Sequence, residues 1–282
     1  MTPDVPLVSI ITPVYNGSKY LDELIQSVWA QDYPNIEHIV IDDGSTDEGA
    51  TAAILRRYPH LRSWSRGNLG QYATMNEGLA AAKGEYVCFI SADDVMEPGA
   101  VRRVFVFFRE HPEFDGVIGC TRAMTEAGNP YAAPPFQFVP VRSYAYFMQI
   151  SHCSLYVNRE ALLRRRLTFD PSLRYIGDYD WLVRVVDTLR IGRLHFPLST
   201  VRIHRTQASR LHRQVMMAEQ RRIVTANRIH PWLFTASRYA YILVHDLAKL
   251  YFAIKNGGIA GGARLFINRF WTGPSEGPRR RR

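Results

Sequence analysis

Tyr86-Val87-Cys88-Phe89-Ile90-Ser91-Ala92-Asp93-Asp94 is the stretch whose reading decides the fold. Five largely apolar residues run without a break and stop on two adjacent carboxylates; Pro98 and Gly99 then open a helical pattern over Ala100 to Glu110. A short apolar run bounded by turn signals reads as a buried strand. The carboxylates then stand at its C-terminal end, where open α/β sheets bind ligands. Two carboxylates side by side repel each other unless a cation sits between them. These residues therefore allow two readings: a divalent-metal site for a nucleotide diphosphate, or an acidic turn that caps the next helix.

The same unit recurs upstream. Leu7 to Ile11 is an apolar strand ended by Thr12-Pro13, and Tyr15-Asn16-Gly17-Ser18 is turn chemistry. Tyr20, Leu21, Leu24, Ile25, Val28 and Trp29 recur at helical spacing, stopped by Asp32-Tyr33-Pro34-Asn35. Ile36 to Ile41 is a second strand, and it too ends in carboxylates, Asp42-Asp43-Gly44-Ser45-Thr46-Asp47, before a helix to Arg57. A weak third strand covers Leu61 to Ser65. The loop Gly67-Asn68-Leu69-Gly70 leads into a helix over Tyr72 to Ala82, with Gly84 as its C-cap. Strand and helix thus alternate four times, which predicts an α/β fold: a mostly parallel sheet with helices on both faces. Right-handed crossovers put the strands' C-terminal ends on one edge. Asp42-Asp43 and Asp93-Asp94 then converge on one crevice.

Beyond residue 110 the rhythm loosens. Phe114 to Cys120 and Cys153 to Val157 read as strands, 121 to 141 as a loop or edge hairpin, and Ser143 to Ile150 and Arg159 to Arg166 as helices. Gly177-Asp178-Tyr179-Asp180 starts a helix that buries Trp181, Leu182, Val185 and Val186; acidic residues suit a helix N-terminus. A last strand, Arg193 to Ile203, leads into His204.

With 46% hydrophobic residues in 282, the chain can bury a sizeable core. Its three widely spaced cysteines show no metal-knuckle spacing and are expected to be buried thiols of a cytosolic protein. No basic and apolar leader precedes the first strand. The net charge of +9 is uneven: residues 211–282 hold 13 Lys/Arg against 3 Asp/Glu, whereas the first 210 are nearly balanced.

Taken in order, the signatures resemble the inverting family 2 glycosyltransferases, which have the GT-A fold. They are Val8-Ser9-Ile10-Ile11-Thr12-Pro13-Val14-Tyr15-Asn16-Gly17, Asp42-Asp43-Gly44-Ser45-Thr46-Asp47, Gly70-Gln71-Tyr72-Ala73-Thr74-Met75-Asn76-Glu77-Gly78, Ser91-Ala92-Asp93-Asp94, Gly177-Asp178-Tyr179-Asp180-Trp181 and Arg202-Ile203-His204. The resemblance spans residues 7 to 209. It implies a glycosyltransferase domain over 1–210, with a nucleotide-sugar half (1–110) and an acceptor-side half (111–210), followed by a basic helical extension (211–282).

The resemblance also implies roles. Asp43 matches the residue that binds the donor's base, where a carboxylate can accept from a uracil or guanine N–H; Asp42 holds a ribose hydroxyl or orients the loop. Pro13 and Tyr15 line the same edge, and Asn68 and Gln71 contact donor hydroxyls or shape their loop. Asp93 and Asp94 match the metal-binding acidic motif, with Mg²⁺ or Mn²⁺ expected because both prefer oxygen ligands shared with phosphates. Ser91 stands where many members carry a further Asp, so weaker metal dependence is expected. His204 is expected to reach the metal or the diphosphate. Asp178 matches the catalytic base, with Asp180 as its competitor; Gly177 stands where a Glu is frequent. His152 and Arg174 are acceptor-side candidates.

The expected reaction moves a sugar from a nucleotide-diphospho-sugar to a hydroxyl of a lipid-linked or polysaccharide-precursor glycan. A sugar nucleotidyltransferase would share the donor half without needing a base, and a non-catalytic scaffold is a third reading. In the tail, Arg238 to Asn256 forms an amphipathic pattern interrupted by charges, too polar to span a bilayer. It is expected to lie in a membrane interface, with Arg279 to Arg282 attracted to anionic lipid, or else to pack on its own domain or in a homodimer. The expected location is the cytoplasm, and peripheral on the inner membrane face in the first of these cases. Nucleic acid is not expected, because no recognition motif accompanies the charge.

Overall fold

The computed structural model of the chain describes residues 5–130, 151–205 and 213–227. Within them, eight strands form one sheet: β1 (Val8–Val14), β2 (Ile36–Asp42), β3 (Arg62–Ser65), β4 (Tyr86–Phe89), β5 (Val95–Met96), β6 (Gly116–Thr125), β7 (Leu155–Asn158) and β8 (Ile191–Ile203). Their order is β3-β2-β1-β4-β7-β6-β8-β5. Strands β1 to β4 pair in parallel. Strand β7 lies antiparallel between β4 and β6, while β8 is parallel to β6. Hence β1–β4, β6 and β8 all end on one edge, and β7 begins there.

The helices are α1 (Leu21–Trp29), α2 (Ala50–Arg56), α3 (Gln71–Ala81), α4 (Ala100–Glu110), α5 (Arg159–Arg164), α6 (Gly177–Thr188) and α7 (Arg213–Ala226). Side chains of a strand alternate between faces, and here both faces are covered. Ile11, Ile39, Val87 and Phe89 join Met75 and Leu79 of α3 and Trp181 and Val185 of α6 in one core. Ile10, Val40, Cys88 and Ile90 join Leu24 and Ile25 of α1 and Val101 and Val104 of α4 in the other. Burying each such side chain contributes about 1.5–3 kcal/mol, which is why these strands read as largely apolar runs rather than strictly alternating ones.

The opening that becomes the site has a visible cause. Strands β2 and β3 lie on one side of β1 and β4 on the other, so the chain's direction of winding switches between β1 and β4. Ile11 accepts from Ile90 on the β4 side and Val14 from Asp43 on the β2 side. Pro13 has the parity of Ile11 and therefore points its missing N–H toward β4. It lies just past the last β1–β4 pair, Ile11↔Phe89. A proline is tolerated in this central strand because the ladder has already ended on that side.

The structure corrects several sequence expectations. Gly84 does not cap α3, whose C-cap is the extended Ala82. Gly84 instead presses on β1: a Cβ there would lie 2.6 Å from the Ser9 nitrogen, and its N–H donates to Ser9 Oγ (2.8 Å). Strand β6 runs past Cys120 to Thr125, carried by its pairing with β8. Cys153 belongs to a 3₁₀ turn, His152–Ser154, ahead of β7. The three cysteines are buried free thiols, as expected. The helix expected at Ser143 to Ile150 and the amphipathic segment from Arg238 onward lie outside the described residues. Among the described residues no helix is long and apolar enough to cross a membrane.

Candidate active site

The residues singled out in the sequence sit where strands end. Asp93 and Asp94 follow β4, yet neither caps α4: its N-cap is Gly99, in the left-handed region (φ +72°). The two carboxylates diverge. Asp94 turns inward, almost fully buried, and accepts from the Arg202 backbone N–H (3.0 Å) and the Cys153 thiol (3.2 Å). Burial, with Cys153 and Asp93 beside it, pushes its pKa well above the usual carboxylate range. Asp93 faces the open edge with its side chain 29% exposed, and Oδ2 lies 2.8 Å from His204 Nε2.

His204 is held by the end of β8. Its neighbour Arg202 is 3% exposed and donates to the Asp93 carbonyl (3.1 Å) and to Glu23 (2.6 Å). The Arg202 guanidinium lies over the Tyr20 ring, which also meets the His204 ring at 5.4 Å. Asp93, partly exposed, and His204, buried beside it, thus bring one oxygen and one nitrogen together at the strand ends. That set suits Mg²⁺ or, with its imidazole, Mn²⁺ if phosphate oxygens complete the shell. Asp94, tied to the interior, is not placed to join it.

Asp42 and Asp43 are buried as well. Asp42 accepts from the Ser45 N–H (2.9 Å) and Ser65 hydroxyl (3.1 Å). Asp43 accepts from the Arg66 guanidinium and from the N–H groups of Leu69 and Gly70 (both 2.9 Å). It therefore clamps the loop that starts α3. Arg66 also bonds Glu77 (2.6 Å) and Thr74 (2.8 Å). Gly44, at φ +76°, lets this loop close in: a Cβ there would lie 2.8 Å from the Asn68 nitrogen. Asn68, Gln71 and Tyr15 are exposed at the same edge, and Pro13 is buried beneath it.

Asp178 stands in the first turn of α6, its side chain 29% exposed. Trp181 anchors the helix, stacked on Phe169 (4.6 Å between ring centres) and edge-on to Phe89 (5.4 Å). Tyr72 donates to Asp178 Oδ1 (3.2 Å). Burial and Asp178 push the Tyr72 pKa well up, so its hydroxyl remains a donor. Gly177 now has a reason: a Cβ there would lie 2.7 Å from the Tyr72 ring. Asp180 is engaged elsewhere, accepting from Arg184 (2.9 Å) and Asn227 (3.4 Å).

The remaining members were weak or invisible in the sequence. His152 Nδ1 is 3.4 Å from Asp178 Oδ2, and Nε2 is 3.4 Å from the Ser91 hydroxyl and 3.6 Å from Cys153 Sγ. Burial opposes charge on both His152 and Cys153. Against it, Cys153 and Asp178 hold His152 well above its ordinary value, and His152 brings Cys153 down to about 7. Arg174 contributes its backbone: Glu219 of α7 accepts the N–H groups of Arg174 (2.6 Å), Tyr175 (3.0 Å) and Ile176 (3.2 Å), bracing the start of α6. A lone His or Glu far along the chain carries no local signal of such a partner.

The family model for glycosyl transferase family 2 matches residues 9–168, more than half of the chain. An uncharacterised glycosyltransferase of Rickettsia prowazekii (strain Madrid E) is 32% identical over 212 residues, covering 72% of this chain and 66% of that protein. One of Rickettsia felis is 31% identical over 217 residues, covering 73% and 35%. The chain thus spans from about a third to just under two thirds of these relatives' length. Among solved structures, S. aureus TarS 1-349 in complex with UDP-GlcNAc has a TM-score of 0.59 at 24% identity, over 71% of this chain and 59% of that one. The mannosyltransferase PcManGT from Pyrobaculum calidifontis, in complex with GDP-Man and Mn²⁺, has a TM-score of 0.60 at 19% identity, over 95% and 80%. The shared fold is GT-A.

Proposed function

The chain belongs to glycosyl transferase family 2, and we propose that it transfers a sugar from a nucleotide-diphospho-sugar to an acceptor hydroxyl with inversion at the anomeric carbon. The observation that carries this reading is the line Ser91–His152–Asp178, which brings the loop of Asp93 and the carboxylate of α6 close together at one edge of the sheet. Asp178 takes the proton of the acceptor hydroxyl as that oxygen attacks the anomeric carbon from the face opposite the diphosphate. The C–O bond to the diphosphate breaks with its electron pair, and the proton remains on Asp178. Tyr72 keeps Oδ1 oriented during the transfer. A divalent cation held by Asp93 and His204 would neutralise charge on the diphosphate. Asp43 acts on the donor indirectly, by fixing the Leu69–Gly70 backbone beside it.

A donor of this class is supported by what the similar structures hold, UDP-GlcNAc and GDP-Man. The basic tail supports an acceptor at an anionic membrane surface, a lipid-linked or precursor glycan. Incubation with UDP-GlcNAc and GDP-mannose, with and without Mn²⁺, tests the reaction by slow transfer to water. Release of sugar as the inverted anomer from one donor, faster with Mn²⁺, is the expected result. Release with retained configuration overturns the inverting mechanism. Transfer of the nucleotide instead of the sugar favours the nucleotidyltransferase.

A further inference from the structure

Two described buried side-chain atoms lack a hydrogen-bond partner: Nδ1 of His38 and Nδ1 of His152. They differ in what they face. His38 bonds Thr12 through Nε2 (3.0 Å) inside the sheet. His152 Nδ1, in a residue 6% exposed, is aimed at Asp178 Oδ2 from 3.4 Å, just outside bonding geometry. Burial leaves this nitrogen no water to turn to, and a buried polar group without a partner is costly. The carboxylate is the group within reach. Its other oxygen already has a donor in Tyr72.

We infer that His152 is a positioning residue for Asp178: its Nδ1–H closes on Oδ2 when the site is assembled, so that His152 and Tyr72 hold the two carboxylate oxygens and leave the outward lone pairs to the acceptor hydroxyl. The inference rests on Asp178 being the base. Its geometry comes from three distant segments. The turn His152–Ser154 opens at Ser151, whose hydroxyl accepts the Cys153 N–H (3.2 Å) and fixes the turn. The Ser91 hydroxyl steadies Nε2 from the end of β4. The Tyr72 ring fills the space above Gly177. The cationic imidazole that Cys153 and Asp178 favour over burial carries a proton on Nδ1, as the bond requires. A carboxylate fixed on both oxygens is preorganised, and loss of one tether lets it swing from the acceptor.

Two conservative substitutions separate the two ring nitrogens. The shorter amide introduced by His152→Asn reaches the place of Nδ1, whereas the longer one introduced by His152→Gln reaches the place of Nε2. With the donor that the wild type turns over, His152→Asn is expected to keep kcat within about threefold and His152→Gln to lose about tenfold or more, both at unchanged donor KM. Equal activity of the two variants, or a loss confined to KM, overturns the assignment. Unfolding midpoints of both report whether either has simply misfolded. Tyr72→Phe, which removes the other tether, should lower kcat in the same way.

An NMR measurement needs no substrate. In the chain labelled with ¹⁵N-histidine, His152 should carry its proton on Nδ1, and Asp178→Asn should shift that nitrogen while leaving His38 in place. A bare Nδ1 on a neutral ring refutes the pairing. Full turnover by Asp178→Asn removes the base reading itself. Lost turnover there with full activity in His152→Gln removes only the role of His152.

Discussion

Strands β2 and β4 flank β1 and both lead into an Asp-Asp pair, yet the two pairs are used in opposite ways. Asp43 beyond β2 is 4% exposed in its side chain and takes three donors from Arg66, Leu69 and Gly70. Asp93 beyond β4 is 29% exposed and meets His204. Asp42 and Asp94 repeat the inward pattern, bonded to Ser45 and Ser65 in one case and to Arg202 and Cys153 in the other. A carboxylate at a strand end thus stays accessible to ligand chemistry where the rest of the chain does not bury it among donors of its own, as Arg66, Leu69 and Gly70 do with Asp43. His204 reaches Asp93 from 111 residues away with a group that can itself ligate.

The largest test of this contrast lies on the β2 side. Asp43→Ala takes one of Arg66's two carboxylate partners, leaves the Leu69 and Gly70 N–H groups without their acceptor, and should lower stability by about 2–4 kcal/mol in urea unfolding. A loss under about 1 kcal/mol would mean that the carboxylate is free for a ligand and that the contrast fails. On the β4 side the effect should fall on metal instead. Asp93→Asn should raise the Mn²⁺ needed for half-maximal turnover by about tenfold or more, with little change in unfolding, while Asp94→Asn should act chiefly on stability. The reverse pattern would exchange their roles.

The buried His38 sharpens the same point. Burial, then His60, holds His38 down to about 3. The unfolded chain therefore takes up this proton first. The contribution of His38 to stability is full above about pH 6.5 and is lost as pH falls toward 3, by up to about 1.4 kcal/mol per pH unit. His38→Gln should flatten that part of the unfolding-versus-pH curve; an unchanged slope contradicts the assignment. The smallest effect belongs to the exposed pair Arg102–Asp32 (2.7 Å), where Arg102→Ala should change stability by about 0.5 kcal/mol or less.

Much of this was legible in the sequence, because local pattern and local structure agree along β1 to α4. Each buried strand reads as an apolar run and each strand end as a cluster of Asp, Gly and Ser. The second half was harder. Strand β7 slips antiparallel between β4 and β6, a pairing between segments some seventy residues apart that no local periodicity records. Strand β6 reads as ending at Cys120 because the polar Thr121, Arg122 and Thr125 break the apolar run, and this stretch gains its order from β8. In the site, the candidates were legible as residue types and their allocation was not. Whether an Asp faces inward depends on Arg66, Cys153 or Arg202, and their approach is set by the folded sheet. Tyr72 shows both sides: its helical spacing marks it as core, and only the packing over Gly177 explains why its hydroxyl meets Asp178.

The central claim is that Asp178 removes the acceptor's proton at an edge whose donor-binding half works without it. Asp178→Asn tests this most directly, with nucleotide affinity read by calorimetry using UDP and GDP in Mn²⁺ and turnover read with the donor that the wild type uses. The account predicts that nucleotide affinity stays within about twofold while turnover falls by about 10²–10⁴-fold. Undiminished turnover in that variant would contradict it.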